Sequence, residues 1–365
     1  MMAGKTANYK PITYRYAERI GNLSAEAVGV VKGEKHFLIF EGNMIFKPLT
    51  KSKPFSTPLF AYAEVFWSWV ITTYFQPVPQ YHLAFCEGYE AETGKYYDYG
   101  TAVPMAYGNG EHLMNLLEFF RKYPDPKVDI DHYVNYCQML YDYTEILESD
   151  YFQEHRALAE ELAMQILISV LKGDQNYHYE NVAFVCDESG KILRMAPMID
   201  HEFSAYFMFP ESISRHMYWV DELKRSIEGR PVQPNEYAQF SNETERKLME
   251  KSATCLHKNL TYIREHYPEV VKRFLNQLSL LETDLIEMKE LFTVQKSPDY
   301  PDHANSDAWL VGKARYKDHD EEKAVLYEAE YGGSGKEIKF DRVNHWLLYD
   351  MRTVTGQIKE QLSKA

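Results

Sequence analysis

The segment KGDQNYHYENVAF, residues 172–184, carries the most specific pattern in the chain. It follows a long apolar pattern of helical period over 154–171 and passes through a polar loop into a short apolar run at 182–186. Asn181 stands at the start of that run, where its amide oxygen can face a metal ion. Taken alone, the stretch is also compatible with an ordinary polar turn between a helix and a strand.

A second polar group follows nineteen residues later, in APMID, residues 196–200. Asp200 ends an apolar run over 192–199, and its carboxylate can there bind a metal ion that bridges phosphate oxygens. An aspartate at the end of a strand can equally be an exposed surface residue. Both segments follow Lys47 and Glu64 in the chain. This order favours one shared site over two unrelated turns.

The residues before 110 form a β-rich region that contains one helical pattern. Glycine-containing turns and short apolar runs predict strands, whereas a nearly all-apolar segment ended by PVP (77–79) predicts a buried helix. The predicted elements are, in order, a three-strand meander at 28–31, 37–40 and 44–46, a helix at 59–75, and strands at 81–86 and 97–105.

Two charged residues stand in apolar surroundings in this region. Lys47 follows the third run of the meander, and Glu64 is the only charged residue in the helical pattern. Phosphoryl transfer needs a cation against the ATP phosphates and a carboxylate that fixes the side chain of that cation. Each residue also has an ordinary interpretation, namely a lysine whose ammonium reaches water and a structural carboxylate with a buried partner.

Beyond a hinge-like YGNG (107–110), the period of the pattern becomes helical as far as about residue 291, including helices at 113–120 and 130–147. A proline-containing linker (296–307), two predicted strands (308–316 and 324–331) and a predicted helix from about Arg342 follow. We therefore predict an α+β, two-lobed, protein-kinase-like fold. Its parts are a β-rich N-lobe (1–108), a mainly helical C-lobe (109–295) with the catalytic and metal-binding loops, and an extension without an assigned role (296–365).

Composition narrows the classes of partner. The 365 residues carry a formal charge of −14, so we expect no direct binding to nucleic acid or to an anionic membrane. Four cysteines without a CxxC pair indicate reduced thiols, and the first ten residues lack the apolar core of a signal peptide. Residues 65–86 are long enough to cross a membrane, but two prolines divide them into a helix and a strand. We expect a cytoplasmic protein.

Together these segments resemble the HipA-like serine/threonine kinases, in particular the short CtkA-like branch. The resemblance spans about residues 13–290 and rests on FKP (46–48), the helix with Glu64, PVP, the loop 173–181 and APMID. It implies phosphorylation of a protein hydroxyl with ATP and Mg²⁺. It also implies a protein substrate and, in some members, an antitoxin or another regulatory protein as partner.

The resemblance also implies roles for individual residues. Lys47 would hold the ATP phosphates and Glu64 would orient Lys47, while Asn181 and Asp200 would bind Mg²⁺. His178 would organise hydrogen bonds in the catalytic loop. The phosphate-covering loop is atypical, because GNLSA (21–25) replaces a GxGxxG motif and is also compatible with a plain turn. The remaining predicted nucleotide contacts are Gly21, Ser24, Val103 and Met105.

The chain departs from the family at the catalytic base. Asn176 occupies the position of the catalytic aspartate, five residues before Asn181, and an amide cannot accept the proton of a hydroxyl. Asp174 is a candidate substitute two residues upstream. Three interpretations stay open: a kinase inactivated or attenuated by a natural or introduced asparagine, a nucleotide-binding pseudokinase that acts through partners, and nucleotidyl transfer on the same scaffold.

Overall fold

The computed structural model describes most of the N-terminal sheet, the helical part and the C-terminal helix. The described residues are 12–15, 18–22, 29–30, 38–40, 44–48, 58–90, 94–129, 142–174, 177–201, 204, 206, 220–221, 223–230, 243–287, 292–295 and 340–364. Ser24 and Asn176 lie outside these residues, as do the predicted linker at 296–307 and the tail strands at 308–316 and 324–331.

Six strands form the main sheet of the N-terminal part, in the order β2-β6-β7-β5-β4-β3. β2 pairs with β6 in parallel, and the other neighbours are antiparallel. The predicted meander and the following strand pair are confirmed. The strands are β2 (Glu18–Asn22), β3 (Gly29–Val30), β4 (Leu38–Phe40), β5 (Met44–Pro48), β6 (His82–Glu90) and β7 (Gly94–Pro104).

The predicted apolar helix is also confirmed. It consists of α1 (Pro58–Val70) and a π-helical turn over Ile71–Phe75. The N–H of Gln76 donates to the carbonyl of Ile71 at 2.9 Å, and the next residue is a proline, which has no N–H with which to continue the helix. Phe66 and Trp67 are fully buried, as an all-round apolar helix requires.

A second, antiparallel sheet follows the hinge-like turn, in the order β10-β9-β8. Its strands are β8 (Glu111–Asn115), β9 (Ala183–Asp187) and β10 (Ile192–Met195). The helix predicted from Leu113 is wrong at its start, because Leu113 pairs with Val185 in the sheet. α2 (Leu116–Lys122) begins after Asn115, whose side chain forms a capping box with Glu118.

The other described residues after α2 are mainly helical, and their helices share one core with α1. Of the predicted helix at 130–147, residues 130–141 lie outside the described part, and 144–148 form only a short helix. The helices are α3 (Thr144–Glu148), α4 (Asp150–Glu154), α5 (Arg156–Lys172), α6 (Glu243–His266), α7 (Pro268–Glu287) and α8 (Phe340–Ser363). A short strand, β11 (Phe292–Gln295), pairs in parallel with β1 (Ile12–Arg15).

The α+β class is therefore confirmed, with a β-rich N-terminal part and a mainly helical remainder. α8 lies within the predicted C-terminal extension, yet its apolar face belongs to the core of the helical part. The boundaries at 108 and 295 stay predictions. Among the described helices, none combines the length and the apolar character needed to cross a membrane.

Candidate active site

Lys47 is the centre of the candidate site. It projects from β5, and its Nζ lies 2.6 Å from Oε1 of Glu64 and also contacts the carboxylate of Asp200. These contacts join residues 17 and 153 positions apart in the chain. Only 11% of the Lys47 side chain is exposed, so the alternative of a lysine whose ammonium reaches water does not hold.

Glu64 is the buried carboxylate of α1, with 1% of its side chain exposed. A carboxylate this buried needs partners for both oxygens. Oε1 accepts from Lys47, and Oε2 accepts from the backbone N–H of His201 at 2.7 Å. Glu64 therefore fixes Lys47 and, at the same time, the residue that follows Asp200.

Asp200 is held in an unusual backbone conformation. Its φ is +60°, a left-handed value that costs a non-glycine residue of order 1–3 kcal/mol. Its N–H donates to the hydroxyl of Tyr81 at 3.1 Å, and its Oδ2 accepts from Nδ2 of Asn181 at 3.3 Å. The side chain is 23% exposed, so the carboxylate can still be reached from outside.

Asn181 lies in the turn that leads into β9, and its N–H donates to the carbonyl of His178 at 2.8 Å. Its amide and the Asp200 carboxylate carry oxygens of the kind that Mg²⁺ prefers. The described residues contain no group of three or more His, Cys, Asp or Glu side chains around one point. Asn181 and Asp200 together fit Mg²⁺, because in phosphate-binding sites this ion takes one or two carboxylates and completes its shell with water and phosphate oxygens.

Asp174, the candidate substitute base, is occupied elsewhere. It lies just beyond the C-terminus of α5, is 1% exposed, and its Oδ2 accepts from Nζ of Lys172 at 2.6 Å. A buried carboxylate in an ion pair is not open to the hydroxyl of a second protein. In this structure the Asp174 carboxylate is directed to Lys172, and its role as a substitute base stays a prediction. Asn176 itself lies outside the described residues.

His178 and His201 both organise hydrogen bonds. Nδ1 of His178 accepts from the N–H of Glu180 at 3.2 Å, and burial lowers the pKa of this imidazole although Glu180 and Asp200 act in the opposite direction. His201 is fully buried and its Nδ1 lies 3.0 Å from Nζ of Lys172. Burial, and then the Lys172 charge, lower the pKa of His201 well below its ordinary value.

The predicted nucleotide contacts lie in different settings. Val103 pairs with Ile45 while Thr101 pairs with Lys47, so by strand alternation Val103 shares a sheet face with Lys47. Met105 directly follows β7 and is partly exposed. The expected turn at 21–25 is wrong at its start, because Gly21 lies in β2 opposite Cys86. Ser24 lies outside the described residues.

Two participants carried no clear sequence signal. Tyr81 is one of many tyrosines in the chain, and only the fold brings its hydroxyl to the N–H of Asp200. Lys172 is a basic residue in the last turn of a helix, a position that usually implies interaction with exposed carbonyls. A lysine among apolar helix positions directly before a Gly-Asp pair is the one hint that it could be buried.

Comparison with known proteins adds one structural similarity. No family model matches this chain, and no curated protein matches it. Among solved structures, the chain is similar to the crystal structure of a Helicobacter pylori proinflammatory kinase, CtkA. The match has 12% sequence identity and a TM-score of 0.44, and covers 98% of this chain and 100% of the other. At this identity it implies nothing about what the present chain binds or modifies.

Proposed function

We propose that this chain binds ATP with Mg²⁺ between its sheet and its helical part, and that its fold is that of a serine/threonine protein kinase. The observation that carries the proposal is the contact of Lys47 with both Glu64 and Asp200. A lysine on the sheet, a glutamate on the following helix and an aspartate after a C-terminal strand are the parts that position phosphates and metal in kinases.

The charges of Lys47, Glu64 and Asp200 indicate how the site would bind phosphates and a metal ion. One ammonium and two carboxylates leave one net negative charge, which would repel a polyphosphate. A divalent cation on Asp200 and Asn181 reverses that sign, after which the Lys47 ammonium can face phosphate oxygens. Bound ATP supplies the phosphoryl group. Glu64 then keeps Lys47 in place through the 2.6 Å ion pair.

The acceptor and the partners follow from the resemblance to the HipA-like kinases. We extend to this chain a protein hydroxyl as acceptor and an antitoxin or another regulatory protein as partner, both as proposals. We also propose a cytoplasmic location. The net charge of −14 supports the expectation that nucleic acid is not bound directly.

The first test is stabilisation by nucleotide. ATP with Mg²⁺ should raise the melting temperature, because a ligand that binds only the folded state stabilises it by roughly 2.7 kcal/mol at 100 times its Kd. Lys47→Met and Asp200→Asn should each abolish this shift. Lys127→Met, at a surface ion pair with Asp150, is the matched control and should keep it. No shift in the parent at millimolar nucleotide would contradict the proposal.

A nucleotide-binding pseudokinase is the second candidate function. Two observations favour it. Asn176 replaces the catalytic aspartate, and the carboxylate of Asp174, two residues before it, is buried against Lys172. The two candidates differ in what Asn176→Asp does. In a kinase that lacks only its base, this substitution should raise phosphate transfer from labelled ATP by about 10²–10⁴-fold.

The control for this assay is the double variant Asn176→Asp/Asp200→Asn, which should be inactive because the metal ligand is lost. Activity that is equally strong with Asn176 and with Asp would show that another group accepts the proton. Absence of transfer in both versions, with the nucleotide-dependent stabilisation intact, would establish the pseudokinase.

A further inference from the structure

A buried ion pair lies beneath the candidate site. Lys172, the last residue of α5, has a fully buried side chain, and the carboxylate of Asp174 is 2% exposed. Nζ of Lys172 lies 2.6 Å from Asp174 Oδ2 and 3.0 Å from His201 Nδ1. Because a lysine ammonium only donates, His201 Nδ1 is the acceptor and the ring proton sits on Nε2.

The same contacts join two loops that are distant in the sequence. Gly173 ends α5 in the left-handed conformation, and the N–H of Asp174 donates to the Ser169 carbonyl at 3.0 Å. A backbone bridge connects Asp174 with Ser204, whose hydroxyl donates to the Lys172 carbonyl at 2.6 Å. The start of the catalytic loop is thus tied to the loop that follows Asp200.

The connection continues to the lysine of the sheet. His201 receives the Lys172 ammonium on its ring, and its backbone N–H donates to Glu64, which in turn holds Lys47. Asp200 precedes His201 in the chain, so the position of the His201 ring also fixes Asp200. Burying a lysine is costly unless the geometry of its partners is good, and here two partners lie within hydrogen-bond distance.

We propose that Lys172 is a positioning residue, which through Asp174 and His201 sets the position of Asp200 relative to the catalytic loop. Its effect on metal affinity rests on the proposed function, whereas its effect on the two loops does not. Lys172 does not touch the nucleotide. It acts through His201, so its loss should change the Mg²⁺-dependent part of binding and leave the remainder.

The test uses the double variant Lys172→Met/Asp174→Asn in the full chain. Lys172→Met alone would leave a buried carboxylate without its cation and can fail to fold, whereas exchanging both members of a buried pair for neutral groups is often tolerated. The matched control is Lys224→Met/Asp350→Asn, a partly buried ion pair between the segment 223–227 and α8.

Two measurements are made on both double variants. The first is the Kd for ATP with Mg²⁺ and with EDTA; partners of metal ligands typically contribute roughly 10–100-fold in metal affinity, so we expect a loss in that range with Mg²⁺ and none with EDTA. The second is hydrogen exchange of peptides that contain Asp174 or His201. Both peptides should exchange faster in the site variant and at the parental rate in the control.

The outcomes separate this proposal from the proposed function. If the parent binds no ATP, the proposed function fails, and hydrogen exchange alone tests the positioning role of Lys172. Faster exchange at His201 in the site variant would support that role, and exchange at the parental rate would overturn it. If the parent binds ATP and the site variant matches it in Mg²⁺-dependent affinity and in exchange, the pair is only a structural contact and the proposal is wrong.

Discussion

Tyr81, which directly precedes β6, connects α1 with the loop that carries Asp200. Its N–H donates to the Ser68 hydroxyl at 3.2 Å, which ties Tyr81 to α1, and its own hydroxyl accepts from the Asp200 N–H at 3.1 Å. Its ring contacts His201 edge to face, with centroids 5.6 Å apart. Burial and then the Glu64 charge raise the pKa of Tyr81 well above its ordinary value, so the phenol stays protonated.

Tyr81→Phe keeps this ring and removes only the hydroxyl. The Asp200 N–H then loses this acceptor, and a typical intramolecular hydrogen bond contributes about 0.5–1.5 kcal/mol to stability. Urea denaturation should therefore show lower stability, and the stabilisation by ATP with Mg²⁺ should shrink. Tyr349→Phe is the control, because that side chain lies on the surface of α8. Unchanged stability together with an unchanged nucleotide effect would exclude this role of the hydroxyl.

At the scale of elements, the turn between the two sheets is held by one carboxylate. Glu111 begins β8, and its two oxygens accept from Arg194 of β10 at 2.8 and 3.0 Å. Oε2 also accepts from the N–H of Gly108 at 2.8 Å. Gly110, which lies between Gly108 and Glu111, has a φ of +77°, a value that favours glycine. The turn between β7 and β8 is thereby fixed to the second sheet.

This clamp predicts a specific acid dependence. Arg194, and then the Gly108 N–H, lower the pKa of Glu111 to about 2 in the folded chain, against an ordinary value of 4.5. A depressed carboxyl pKa stabilises the fold above the unfolded pKa, and this contribution is lost as the pH falls from 4.5 to about 2. The melting-temperature difference between the parent and Glu111→Gln should be largest above that window and diminish through it.

High salt should also reduce this difference, because both side chains are partly exposed and their interaction is screened. Glu188→Gln serves as the control, since it is a neighbouring carboxyl beside the same turn. A difference between parent and Glu111→Gln that is constant across the acid window would contradict the clamp.

At the scale of the whole molecule, α8 completes the helical core. Its buried apolar residues lie three or four positions apart, as expected for one face of a helix. They pack into the cluster that also contains residues of α1, α5, α6 and α7. These residues are Leu348, Met351, Val354, Ile358 and Leu362. The helix therefore contributes to the stability of the part of the chain that carries Asp174 and Lys172.

Met351→Ala tests this contribution. The side chain is fully buried, and truncating a buried methionine to alanine typically costs 2–5 kcal/mol, so about that loss is expected in denaturant unfolding. Tyr349→Ala, two positions away on the same helix with 63% exposure, should change stability little. A single unfolding transition that is shifted only by Met351→Ala shows that α8 unfolds with the core. Equal, small effects of both substitutions would contradict this packing.

Most of the helices and strands can be predicted from local sequence patterns. The meander, α1, α5 and the hairpin of β9 and β10 follow from apolar periodicity and from turn residues, which act between neighbours in the chain. A lone carboxylate in an all-apolar helix also predicted that Glu64 has a buried partner, because desolvating an unpaired charge is too costly. The candidate site residues Lys47, Asn181 and Asp200 were predicted from the order of their motifs along the chain.

Which of these residues contact one another depends on how the helices and strands pack, and local patterns do not show it. Leu113 has helical spacing in the sequence, but its pairing with Val185 places it in a strand. Asp174 is a candidate base by its position in the sequence, and only the fold shows that its carboxylate is buried against Lys172. The apolar positions before Lys172 and the Gly-Asp pair after it are only a weak local sign of burial, because burial of a lysine at a helix end depends on what packs above it. His201, which lies 29 positions further along the chain, provides that contact.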